Sequence, residues 1–209
     1  MKMFSLILTF AVACVAGADV VLASSSGPPD GRTNAPGETN CTACHTSFPL
    51  NSGAGSLAVS GVPESWQADT MYDLTVTLSD PNAQRWGFEF TILDQAGESA
   101  GSLASVDANT LVSVAGPRTY AKQTSGGTAF GTTGSQSWTV SWTAPAAGAG
   151  DLTLYAAGNA ANGDFSSGGD RIYATSVTWT EAGLSPAPLP TVAVASLKAQ
   201  YPNPVSYTH

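Results

Sequence analysis

Five consecutive residues, Cys41-Thr42-Ala43-Cys44-His45, hold nearly all the soft-ligand chemistry of this chain. There are three cysteines and two histidines in 209 residues, and this run contains two of the cysteines and the only internal histidine. C-x-x-C-H is the spacing of c-type haem attachment. Two thiols a short turn apart add to the two vinyl groups on one porphyrin edge, and the adjacent imidazole coordinates the iron from the proximal side. Cys41 and Cys44 are therefore the candidate attachment residues, His45 the candidate iron ligand and haem c the candidate cofactor.

Three other chemistries compete for the motif. A local Cys41–Cys44 disulfide suits an oxidising compartment. A thioredoxin-like redox pair needs a βαβ context that the sequence lacks. Zinc needs a fourth ligand, and no further Cys or internal His is available. For a distal haem ligand the candidates are Met71, Lys122 and His209, beside an open or water-ligated iron.

A second cluster, Asn159, Asn162, Asp164 and Asp170, lies in a Gly-rich loop. Its oxygens have a spacing that could hold Ca²⁺. The preferred reading is a solvated loop that uses Asn and Asp for turn geometry. One internal histidine permits no Ser/His/Asp set, and neither paired carboxylates nor a phosphate loop stands out. Nothing argues for a hydrolase, and whether the chain is an enzyme stays open.

The elements around these residues are legible from patterning. Residues 1–23 read as a signal peptide: Lys2, then a largely apolar run from Phe4 to Val15, then small-residue cleavage sites at Ala16–Ala18 and Val21–Ala23, the second preferred. An uncleaved anchor and lipidation at Cys14 are the alternatives. Removal of this segment leaves Cys41 and Cys44 as the only cysteines. Residues 24–54 are rich in Gly, Pro, Ser, Thr and Asn and read as an irregular arm that carries the motif. Residues 55–181 alternate with period two. Leu74, Val76 and Leu78, then Trp86, Phe88, Phe90 and Ile92, then Trp138, Val140 and Trp142 are separated by small or polar residues. Leu152, Leu154 and Ala156 continue the pattern, as do Val177 and Trp179. Turn signals at Asp80-Pro81-Asn82, Gly116-Pro117, Gly126-Gly127, Ala144-Pro145 and Gly148–Gly150 divide the runs.

Short strands without intervening helices predict an all-β antiparallel sandwich, with a barrel as the alternative. Trp86, Phe88, Trp138 and Trp142 are assigned to its core. Residues 182–199 carry Pro186, Pro188 and Pro190 and read as an extended linker. Residues 200–209 read as the truncated beginning of another unit. Charged residues make up 11% of the chain, its net charge is −8, and it has seven Lys and Arg. A basic footprint for nucleic acid is missing, and after the signal no stretch is long and apolar enough to span a bilayer.

The stretches Ser26-Gly27-Pro28-Pro29-Asp30-Gly31-Arg32, Ala35–Glu38 and Cys41–His45 together resemble the start of choice-of-anchor V domain proteins. Arg85–Phe90, Trp142–Pro145 and Ala157–Asp164 support that likeness over residues 24 to 181. It implies a Reeler-like, immunoglobulin-like sandwich on a bacterial surface or secreted protein, without a settled activity. Tyr201-Pro202-Asn203-Pro204 is similar to the opening of a type A C-terminal sorting domain and implies the type IX secretion machinery as a partner. Two functions follow as expectations. One is an exported cell-surface binding or adhesion module with a single c-type haem site. The other is an extracytoplasmic haem c protein in electron transfer or redox sensing.

Overall fold

The computed structural model describes residues 25–183. The signal segment with Cys14, the Pro-rich linker, the Tyr201–Pro204 motif and His209 lie outside the described residues. Ten strands make two sheets: β1 (Ser56–Ser60), β2 (Ser65–Trp66), β3 (Met71–Asp80), β4 (Arg85–Leu93), β5 (Ser102–Ser105), β6 (Thr110–Ala115), β7 (Arg118–Gln123), β8 (Gly134–Thr143), β9 (Leu152–Ala161) and β10 (Arg171–Glu181). One sheet has the order β1-β3-β8-β5 and the other β2-β10-β9-β4-β7-β6. Pairing is antiparallel except between β2 and β10. Among the described residues no helix is long and apolar enough to cross a membrane. The expected antiparallel β-sandwich is what the chain forms.

Alternation accounts for the core. Leu74, Val76 and Leu78 of β3, with Trp138, Val140 and Trp142 of β8, face Trp86, Phe88, Phe90 and Ile92 of β4 and Leu152, Leu154 and Ala156 of β9. Ring contacts cross between the sheets: Phe88 and Trp138 lie 4.5 Å apart, and Trp142 and Trp179 5.6 Å. Each such aromatic buries roughly 150–250 Å². At about 25 cal/mol per Å² the rings dominate the favourable side of folding. A buried indole N–H needs an acceptor, and backbone carbonyls supply it: Trp86 donates to Thr132, Trp138 to Gly127 and Trp142 to Ala100.

The arm is a third layer. It crosses the outer face of the six-stranded sheet, so β4 is buried on both sides: Phe88 and Phe90 in the core, and Glu89, which alternates with them, facing the arm. Arg32 N–H donates to Glu89 Oε2 at 2.5 Å. Lys122, paired in register with Glu89, donates to Pro28 O at 2.8 Å and forms ion pairs with Asp30 and Glu89. Further along, Glu38 Oε1 accepts from Arg118 at 2.6 Å and Tyr120 at 2.7 Å. The arm ends where Gly55 N–H donates to the buried Tyr173 hydroxyl, which itself donates to Asp80 at 2.6 Å. Side-chain anchors rather than a ladder hold this segment, which explains its lack of periodicity.

Candidate functional site

The motif occupies a single turn of 3₁₀ helix, Cys41–Ala43. Asn40 caps it by accepting from Thr42 N–H at 2.8 Å, and His45 N–H closes the turn on Cys41 O at 3.0 Å. This winding brings Cys41, Cys44 and His45 to the wall of one groove. Cys41 is buried against Ala157, Ile172 and Leu50, on the outer face of β9 and β10. Burial, with the nearby Glu89 charge second, pushes its thiol up to about 12. A nucleophilic redox cysteine has the opposite perturbation, a lowered value. Both cysteines are free, without a disulfide between them.

His45 is held from the far end of the chain. Its Nδ1 lies 2.7 Å from Asp170 Oδ2, and the Asp170 side chain is 1% exposed. Asp170 sits immediately before β10, and its Oδ1 accepts from Asn162 N–H at 3.1 Å. Asn159, on β9, lies with its amide nitrogen 3.3 Å from both ring nitrogens. With Nδ1–H donating to the carboxylate, Nε2 is the nitrogen left as acceptor, and the Asn159 amide lies within hydrogen-bond distance of it. Asn159 Oδ1 is buried without a protein partner and belongs to a groove-lining residue.

The groove has about 960 Å³ of empty space, open solvent at its mouth included. Trp86, Gly87 and Phe88 line it from β4, Pro28, Pro29 and Arg32 from the arm. Gly87 puts no side chain on the outer face of β4. At the rim Phe165 is 64% exposed, and its ring is 5.0 Å from that of Phe130, 60% exposed. Phe165 has φ +64, a left-handed conformation that a non-glycine residue adopts at a cost. The Arg85 guanidinium sits 4.5 Å over the Phe165 ring.

The residues singled out by spacing divide clearly. Cys41, Cys44 and His45 converge, and Asn159 and Asp170 join them as partners of His45. Asn162 lines the same groove and reaches Asp170 through its N–H, whereas Asp164 stays outside the lining: Asp164 N–H bonds Asn162 Oδ1, and Ser166 N–H bonds Asp164 Oδ1, successive turns of the loop. Among the described residues no three His, Cys, Asp or Glu are gathered as a metal site. Met71 is 68% exposed at the start of β3 and does not line the groove. It is therefore neither core nor near His45. Lys122 is occupied by Asp30 and Glu89 under the arm and also lies outside the groove lining. Trp86 and Phe88 are core residues as expected, each 1% exposed. Arg32, Arg85, Glu89 and Phe165 carry no spacing signal and emerge from the fold alone.

The residues fit a covalently held porphyrin by donor set: two thiols, an imidazole oriented by a buried carboxylate, one aromatic ring at the rim, and cations at a surface-open groove. No protein-family model and no curated protein matches the chain. Solved structures similar to it include the Reelin-N domain of F-spondin, with 21% identity and a TM-score of 0.47 over 67% of this chain and 96% of that one. The human F-spondin reeler domain has 21% identity and a TM-score of 0.46, with 65% and 95% covered. AvmM, which catalyses macrocyclization in alchivemycin A biosynthesis, has 13% identity and a TM-score of 0.40, with 68% and 95% covered. Likeness of this degree transfers no ligand, partner or activity.

Proposed function

We propose that this chain is an exported β-sandwich module that carries one c-type haem in the groove beneath its arm and exchanges electrons through it. The observation that carries the reading is the convergence of Cys41, Cys44 and His45 on one groove, with His45 Nδ1 bonded to the buried Asp170. Cys41 and Cys44 would hold the group by addition of each S–H across a vinyl C=C, in which sulfur would bond one carbon, the thiol hydrogen would end on the other, and no group would leave. A bound haem would supply a one-electron Fe(III)/Fe(II) couple. Asp170 would orient the imidazole and raise its basicity, and the 3₁₀ turn would set the two sulfurs.

Export belongs to this reading, because c-type haem is attached outside the cytoplasm. Residues 1–23 supply the signal, and Tyr201–Pro204 points to a second sorting step through type IX secretion. The choice-of-anchor V likeness agrees with a surface or secreted destination. A second reading, a surface binding or adhesion module with a structural haem, is favoured by the exposed Phe130–Phe165 pair, since exposed aromatic patches mark contact surfaces. Redox titration of the full chain, matured with a cytochrome c assembly system, separates the two. A reversible couple with a Soret band supports electron exchange. Haem that is attached but not reversibly reducible favours the structural role, and no Soret band at all removes both haem readings.

A further inference from the structure

In a chain of net charge −8, cations are scarce, and where they stand is informative. The described residues contain Arg32, Arg85, Arg118, Lys122 and Arg171. Arg118 is paired with Glu38, and Lys122 with Asp30 and Glu89. Arg171 lies over the Phe48 ring at 4.1 Å. Arg32 and Arg85 differ: both line the groove of Cys41, Cys44 and His45, and neither has an ion pair with a carboxylate among the described residues. The acidic lining residue, Asp170, is already committed to His45, Asn159 and Asn162.

The Arg32 guanidinium is held from outside the groove, and that of Arg85 by two residues of the groove itself. Arg32 Nη1 donates to Gly31 O at 3.3 Å and Thr39 Oγ1 at 3.0 Å, while its backbone N–H is anchored on Glu89. Arg85 Nη2 donates to Ser25 Oγ at 2.6 Å, and Phe165 supports its face. A guanidinium has five N–H donors, so each retains donors beyond these bonds. Two half-buried, pre-positioned forks without a carboxylate partner suit an anionic occupant, since charge-assisted bidentate bonds are the strongest a fork can make.

We propose that Arg32 and Arg85 are the anion-binding groups of this groove and take the two carboxylate arms of the porphyrin. This rests on the haem reading above and deepens it, since a porphyrin that carries two propionates is a planar dianion at its edge. The two cations then bear on the iron electrostatically and favour the reduced, less positive centre. They also hold the propionates ionised to lower pH.

The test compares full-length wild type with R32Q, R85Q and R85K, all matured with haem and checked for fold by circular dichroism. Arg→Met at the same positions replaces a Gln variant that does not fold. The expected result is covalent haem in every variant and a lower midpoint potential in R32Q and R85Q. The pH at which the potential bends should rise by about one unit in those two, and R85K, which keeps the charge but not the fork, should fall between wild type and R85Q. Covalent haem with potential and pH profile unmoved in both Gln variants overturns this proposal while the haem reading stands. Wild type without covalent haem overturns both.

Discussion

Asp170 and Glu89 show how single side chains far apart in sequence set the character of the motif. Asp170 is 125 positions from His45, yet one short hydrogen bond places its charge behind the imidazole. In matured protein Asp170→Asn should keep the haem and raise its midpoint potential, because the imidazole loses basicity. An unchanged potential by spectroelectrochemistry would show that Asp170 merely fills space. Glu89 is the buried carboxylate beside Cys41. Burial pushes it up to about 7, against the opposing pull of the Arg32 N–H and Lys122. Between its ordinary value near 4.5 and about 7, the folded chain holds a proton that the unfolded chain has released. Its contribution is thus fully present below pH 4.5 and is lost as pH rises through 7. Urea melts of Glu89→Gln and wild type should differ more at pH 8 than at pH 5, by roughly 2–3 kcal/mol. Parallel stability curves would contradict the assignment of this pH dependence to Glu89.

At the scale of elements, the sequence reveals strands with one buried face and conceals the rest. β3, β4 and β8 alternate strictly and were legible as core strands. β5 and β6 bury little on either face at the sheet margins and leave no period-two signal. Glu89 and Lys122 look like solvent-facing positions, and only the arm laid over them makes them interior. The arm was legible as irregular but not as a cover, because its anchors pair residues 57 or more positions apart. Glu38 is the sharpest such anchor. Burial raises its carboxyl, but bonds from Thr33, Arg118 and Tyr120 outweigh this and hold it below the ordinary value. Glu38→Ala should loosen the arm while the sandwich persists. Hydrogen exchange should rise several-fold in residues 30–45 and stay level in β3 and β8. Uniform acceleration would mean that arm and sandwich open as one unit.

For the whole molecule, the sandwich provides rigidity and the arm provides chemistry. The core aromatics are satisfied within the protein, whereas the groove between arm and sheet gathers thiols, an imidazole and unpaired arginines. The C-x-x-C-H spacing marked Cys41, Cys44 and His45 in advance as candidate attachment residues, and the fold brings them to one groove. The groove was not readable, because its other walls come from β4, β9 and the loop before β10. The most direct measurement is the mass and alkaline pyridine spectrum of the full chain after maturation with a cytochrome c assembly system, beside Cys44→Ala. The account predicts one covalent haem per chain in the wild type and loss of the two-thioether spectrum in Cys44→Ala. A wild type without covalent haem, or a Cys44→Ala protein with an unchanged two-thioether spectrum, would contradict it.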